Sequence, residues 1–380
     1  MTASSRPRSS SGLFKTLGED VRTVFGDFQQ RGARRVVGDS VASLESFYLP
    51  EEDRQRLVAM RPVRRFVVRS WWLLKGLLLK LTPARRVMLA AALWFLIVGG
   101  PRFRIDSSRF NVDIRFPYFS SVLLLGVLML ELKDKLVARD ELEAGRKVQL
   151  ALMPEESPGI PGWDVWLYTR PANDVGGDLV DHLQIDDRHH AIALGDVAGK
   201  ALPAALLSVK LQATLRALAP RFDSLAELGG AVNNILHRDG LPTRFASLVY
   251  LLLEPDSGHI RVLNAGHMPP LIVRNGSIST MDRGSMVLGI MHDAPFSEQA
   301  IDLAEGDVLV VYSDGVSEAM NEKGDFFGEE RLYTSVEAAP GSRPPDLGGS
   351  ILTAVKSFIG DAVPSDDLSL VVLKRLAPHV

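Results

Sequence analysis

The C-terminal part of the sequence predicts an α+β layered sandwich, preceded by a helical N-terminal region. Three observations carry this. Beyond Gly162 the chain breaks into short runs rich in β-branched residues, WDVWLYTR, DLVDHLQI, HAIALGDV, ASLVYLLLE, HIRVLNAG, PPLIVR, DVLVVYS and LSLVVLKR, all of strand length. Helical stretches at 201–218, 225–238 and 345–359 fall in separate blocks instead of alternating with every strand, which disfavours a doubly wound parallel sheet. Pro154, Pro158, Gly159, Pro161 and Gly162 crowd turn residues just before the change of texture and mark a domain boundary.

At 380 residues with 46% hydrophobic content, the chain can hold more than one structural unit and fill a sizeable core. A net charge of −3 gives no global pull toward nucleic acid, and no nucleic-acid-binding signature is present. Without any cysteine, disulfides, thiol nucleophiles and thiolate zinc sites are excluded, so any metal must take oxygen or imidazole ligands.

The N-terminal elements follow in order. Residues 1–86 form a basic region whose start, MTASSRPRSSSGLFK, lacks the apolar run of a secretory signal and reads as a disordered tail. A polar helix over 21–69 merges into Trp71, Trp72 and a Leu-rich stretch carrying Lys75 and Lys80, which suits a helix at a membrane interface or an ordinary amphipathic core helix. Two purer apolar runs, 87–100 and 116–130, are separated by a loop, PRFRIDSSRFNVDIR. Arg85 and Arg86 before them, with Lys133, Lys135 and Arg139 after them, favour a two-helix transmembrane hairpin over 87–130 with both ends cytoplasmic. That reading places the protein in the inner (cytoplasmic) membrane. Both runs are shorter than the roughly 20 residues of a full span, so buried soluble helices are the alternative. Residues 131–153 read as a linker helix with a narrow stripe, Val137, Ala144, Val148 and Ala151, suited to helix pairing or to a solvated connector. The catalytic domain is then expected over 154–376.

Four acidic positions stand where strands end or turn: Asp178 in NDVGGD, Asp196 in LGDVAGK, Asp314 in YSDG and Asp366 in SDDLSL. A single Asp-Gly is usually only a turn. Four at strand edges, without Cys or His companions, suit hard cations such as Mg²⁺ or Mn²⁺. Two such ions would offset the mutual repulsion of the carboxylates and activate a bridging hydroxide toward a phosphate ester, with no nucleophilic side chain required.

The segments GGDLVD, GDVAGKALPAALL, NAGHMPP, VYSDGVSEAMNEKGDFFGEERL and DDLSLVVL occur in the order found in the SpoIIE/RsbU branch of the PPM phosphatases, which the chain resembles over 145–374. The resemblance implies an α/β/β/α sandwich and Mn²⁺- or Mg²⁺-dependent dephosphorylation of phosphoserine or phosphothreonine in a protein. It further implies a STAS-type anti-sigma-factor antagonist as substrate and a homodimer through the linker helix. By the same likeness Asp196 bridges two metals with the backbone carbonyl of Val197 as a further ligand, Asp314 and Asp366 hold one metal, and Asp178 serves the other. Asp181, Asp367 and Glu318 read as hydrogen-bonding or surface carboxylates beside these positions. Ala201 stands where many relatives have glycine, so the turn after Asp196 loses freedom, and Ala198 replaces the histidine of animal type 2C phosphatases. Their phosphate-gripping arginine has no clear counterpart, although Arg170 lies upstream of the GGD segment. His267 reads as a structural turn residue, and His189 and His190, adjacent on a strand, point to opposite faces. A catalytically weak binding module of the same fold is the alternative function.

Overall fold

A computed structural model describes residues 56–57, 60–98, 103–107, 110–114, 116–239, 244–255, 257–339 and 341–377. The tail expected at the N-terminus lies outside the described residues. The chain divides into two compact units, Met1–Lys135 and Leu136–Val380.

In the first unit, α1 (Pro62–Lys80) opens on a proline, whose fixed φ and missing N–H suit a first helical turn. Next come α2 (Pro83–Val98), strands β1 (Phe103–Ser107) and β2 (Phe110–Ile114), and α3 (Phe116–Leu152). Arg85 on α2 pairs with Glu131 at 2.7 Å and Asp134 at 2.6 Å, and the buried Ser120 hydroxyl donates to the Ala92 carbonyl at 2.6 Å. These contacts hold α2 against the first part of α3.

Two expectations are corrected here. Among the described residues no helix is long and apolar enough to cross a membrane. The 16 residues of α2 rise only about 24 Å at ~1.5 Å each, short of a hydrocarbon core of about 30 Å. The apolar opening of α3 ends at Glu131, followed by Lys133, Asp134 and Lys135. The loop expected between the apolar runs is instead an antiparallel hairpin, pairing Phe103 with Ile114 and Ile105 with Val112. The apolar residues of that segment alternate with period two, a strand signal.

The second unit is built from two five-stranded antiparallel sheets. One has the order β10-β7-β6-β5-β4 and the other β3-β12-β11-β8-β9. In chain order the strands are β3 (Trp163–Arg170), β4 (Leu179–Asp186), β5 (His189–Val197), β6 (Ala246–Leu253), β7 (His259–Ala265), β8 (Leu271–Arg274), β9 (Ser277–Thr280), β10 (Glu298–Asp302), β11 (Val308–Tyr312) and β12 (Leu368–Arg375). Two helices, α4 (Ala201–Leu218) and α5 (Leu225–Asp239), cover the first sheet. After the short α6 (Asp314–Ser317), helices α7 (Gly328–Glu337) and α8 (Pro344–Ile359) cover the second.

The layers follow from strand periodicity. On β5, Ile192 and Leu194 face the opposite sheet together with Val249, Leu251, Val371 and Leu373, whereas Ala191, Ala193 and Val197 face α4 and α5. On β12, Leu370 and Val372 turn instead to α7 and α8. Every central strand is thus buried on both faces, and each fully buried Val, Leu or Ile contributes roughly 1.5–3 kcal/mol. The α/β/β/α order agrees with the expectation from sequence.

Candidate metal centre at one end of the sandwich

Strand register delivers two aspartates from each sheet to the same end. Leu179 of β4 pairs with Gly195 of β5, so Asp178 comes opposite Asp196. In the other sheet Tyr312 pairs with Leu370, which sets Asp314, the first residue of α6, beside the segment of Asp366 and Asp367. The Ser313 hydroxyl donates to the Asp367 carbonyl at 3.1 Å, and the Ser369 amide donates to the Ser313 hydroxyl at 3.0 Å. A Cβ on Gly315 would lie 2.0 Å from the Asp367 carbonyl oxygen, so only glycine lets this turn rest on its neighbour.

The sheets are stitched together at the site. The Asp367 carboxylate accepts backbone N–H bonds from Ala172 at 2.8 Å, Gly177 at 2.6 Å and Asp178 at 3.2 Å. It therefore shapes the GGD loop, in line with its hydrogen-bonding reading. Ser369 donates to the buried Asp178 carboxylate and lies 2.8 Å from the Thr169 hydroxyl. Asp181 is held by Arg216 at 2.6 and 2.9 Å, also in a hydrogen-bonding role, and Glu318 is exposed beside Asp314.

Burial and mutual repulsion make these carboxylates hard to ionise. Asp196 is pushed up to about 7 by desolvation first, then by Asp314, Asp366 and Asp367. Asp314 is raised by burial and by Asp366. Asp178 is raised well above the ordinary range by burial and by Asp196, against hydrogen bonds from Ser369 and Ser313.

The donor set fits a hard divalent cation: every candidate is a carboxylate or carbonyl oxygen, and the carboxylates crowd closely enough to raise one another. A Cβ on Gly177 would lie 3.1 Å from the Val197 carbonyl oxygen and 3.7 Å from Asp196 Oδ1, so both face the GGD segment. Among the described residues no three His, Asp or Glu side chains converge as a finished ligand set. Asp178 accepts from Ser369 and shares a hydrogen bond with Asp196.

The turn after Asp196 carries a feature that sequence alone did not reveal. Gly199 has φ 125° and Ala201 φ 60°, so the alanine sits in the left-handed region at a cost of roughly 1–2 kcal/mol. The lost freedom expected from Ala201 is visible here as strain. Arg244 donates to the Ala198 carbonyl at 2.6 Å, the Ala198 amide donates to the Phe245 carbonyl at 2.9 Å, and Lys200 Nζ donates to the Ser365 carbonyl at 3.0 Å. Arg244 thus fastens the turn after Asp196 to the segment leading into β6, and Lys200 ties it to the segment carrying Asp366. Arg244 lies 45 residues from Gly199, with no motif around it to signal the contact.

His267 is structural, as expected. It lies 2.7 Å from the Ser247 hydroxyl and 3.0 Å from the Tyr312 carbonyl, linking the two sheets, and burial lowers it to about 4. His189 bonds Asp186 while His190 stacks on His182, so the adjacent pair shares no partner.

Fold and site together define a PPM-type phosphatase fold with a carboxylate cluster at one end. The family described as Stage II sporulation protein E (SpoIIE) matches residues 186–376, half of the chain, and the protein belongs to that family. Phosphoserine phosphatase RsbU of Bacillus subtilis is 25% identical over 239 residues, covering 62% of this chain and 70% of that protein. Protein IcfG of Synechocystis is 25% identical over 273 residues, 64% of this chain but only 43% of IcfG, so this chain spans less than half of that relative. Among solved structures, the SiaA-PP2C domain of Pseudomonas aeruginosa superposes with TM-score 0.54 at 16% identity, over 64% of this chain and 99% of that one. The RsbU and RsbW domains of Rv1364c from Mycobacterium tuberculosis give 0.52 at 23% identity, over 59% and 62%. At these identities the structural likeness establishes the fold.

Proposed function

We propose that this chain is a metal-dependent phosphoserine/phosphothreonine protein phosphatase. The observation that carries the reading is the meeting of Asp178, Asp196, Asp314 and Asp366 from two sheets, with Asp196 pushed up to about 7 among its neighbours. Bound Mn²⁺ or Mg²⁺, two ions by the likeness, would supply an activated water and charge stabilisation at phosphorus. Asp196 with the Val197 carbonyl would hold them from one sheet and Asp314 with Asp366 from the other. Asp178, which touches Asp196 and accepts from Ser369, would serve the other ion. Asp367 keeps the GGD loop in place through its three backbone acceptor bonds. Hydrolysis of p-nitrophenyl phosphate by the purified protein with Mn²⁺, silenced by EDTA and restored by Mn²⁺, is the test. Activity indifferent to the chelator would refute it.

The substrate proposed is a phosphorylated STAS-type anti-sigma-factor antagonist, in keeping with the named likeness to RsbU. Treatment of such a phosphoprotein, followed by intact-mass measurement, tests this by loss of one phosphoryl group. A homodimer through α3 is supported by exposed Val137 and Val148 and by exposed Leu125, Met129, Leu132 and Leu136 at spacings of 4, 3 and 4. Light scattering on full-length Leu132→Asp should report a monomer if this surface pairs. Membrane localisation is proposed through α1 lying in the interface, where exposed Phe66, Trp71 and Leu79 accompany Arg64, Arg65, Lys75 and Lys80. Sedimentation with membranes that resists high salt is expected, and release by salt would leave only a charge attachment.

A further inference from the structure

A groove of about 230 Å³ opens from the carboxylate cluster along the end of the second sheet. Its lining includes Asp366 together with Arg170, Pro171, Lys356, Ile359 and Pro364. Arg170 closes β3 opposite Leu368, and Lys356 projects from the last turn of α8. Both are exposed, and neither has an ion-pair partner among the described residues. The nearby Lys200 ammonium, on the Ser365 carbonyl, adds a third positive charge, against the single acidic side chain of Asp361 in the segment 360–365.

This arrangement is specific in sign. Carboxylates concentrate at the cluster, whereas along the groove Arg170, Lys356 and the nearby Lys200 outnumber the acidic Asp361 and Asp366. A phosphorylated side chain directed at the cluster would lay its neighbouring residues along that positive wall. We infer that the groove receives an acidic segment of the substrate protein adjacent to its phosphorylated serine or threonine. The inference rests on the phosphatase reading for its orientation, although the charge match holds without turnover.

The test uses full-length protein and two phosphoserine peptides, one with aspartates flanking the phosphoserine and one with asparagines in their place. Wild type should hydrolyse the acidic peptide with kcat/KM about tenfold higher at low ionic strength, shrinking toward about twofold in high salt, as expected for exposed ion pairs. Lys356→Gln and Arg170→Gln should each remove much of that preference through KM, with p-nitrophenyl phosphate turnover unchanged. Equal use of both peptides by wild type, or a preference that survives both substitutions, overturns the inference. Loss of p-nitrophenyl phosphate turnover in Arg170→Gln would also overturn it, because Arg170 would then grip the phosphoryl group itself. Anisotropy of the unphosphorylated acidic peptide, fluorescein-labelled and in EDTA, reads the groove separately. If wild type hydrolyses nothing, the phosphatase reading fails, while binding that weakens in both variants still upholds the groove and binding indifferent to them refutes it.

Discussion

Replacing Asp196 by asparagine should make the metal-free protein more stable at pH 8 while destroying its hydrolytic activity. Asp196 is pushed from its ordinary 3.8 up to about 7, so the folded state holds this proton more tightly than the unfolded chain does. The favourable contribution is complete below about pH 4 and is lost as pH rises through 7. Roughly three powers of ten in proton affinity correspond to about 4 kcal/mol of penalty for the ionised form. Asparagine removes that charge and relieves Asp314 and Asp178, but it weakens the hydrogen bond shared with Asp178, a loss of about 1 kcal/mol. A net gain of about 2–4 kcal/mol is therefore expected at pH 8, and little or none near pH 4. Denaturant unfolding in EDTA at both pH values measures it. Saturating Mn²⁺ should reverse the order, since ligand at a hundredfold over Kd adds about 2.7 kcal/mol to a protein that binds it. Equal destabilisation of the variant at both pH values would show that Asp196 is not electrostatically frustrated.

Arg244→Met should free the Ala198 carbonyl and lower Mn²⁺ affinity by about 10-fold or more, as loss of ligand-orienting partners does, with partial recovery in Arg244→Lys. Titration followed by Mn²⁺ electron paramagnetic resonance reads this, and unchanged affinity would reduce Arg244 to packing. His267→Ala should cost about 2–3 kcal/mol at pH 7 by stranding the Tyr312 carbonyl and the Ser247 hydroxyl. Because the buried imidazole is lowered to about 4, wild type should lose up to about 3 kcal/mol as pH falls from 6.5 to 4, and the variant should lack that slope. Gln149→Ala should speed amide exchange at Gly176, whose N–H and carbonyl both bond the Gln149 side chain, at 3.2 and 2.9 Å. Exchange at Gly176 equal to wild type would mean that α3 does not steady the GGD loop.

The strands and the four aspartates were legible because both signals are local. Short runs rich in β-branched and apolar residues mark β3, β5, β6 and β12, and each Asp sits at a strand edge beside a turn, so register alone brings Asp178 opposite Asp196. Strands β9 and β10 escaped reading because SIST and EQAID are only four and five residues with few apolar side chains, and α7 because GEERLYTSVE buries only Leu332 and Val336. The apolar runs misled in the opposite way. Hydropathy reports that a segment avoids water, yet α2 meets that demand partly through Ala92 packed against Ser120, and α3 continues as a charged helix well past its apolar opening. Least legible were the groups that position the site from a distance. Asp367 reads as a hydrogen-bonding carboxylate, but its partner, the Gly177 amide, lies 190 residues away, and Gln149 lies 27 from Gly176, and neither separation leaves a periodic trace. Both converge on the loop that presents Asp178, one from β12 and one from the linker helix. Asp178 accepts from Ser369 and also shares a hydrogen bond with Asp196, so both restraints bear on a carboxylate that already touches the cluster. The helix end is itself held by Gln212 of α4, which donates to the Leu152 carbonyl at 2.9 Å, so a shift of α3 would reach the GGD loop and the helix following Asp196 together.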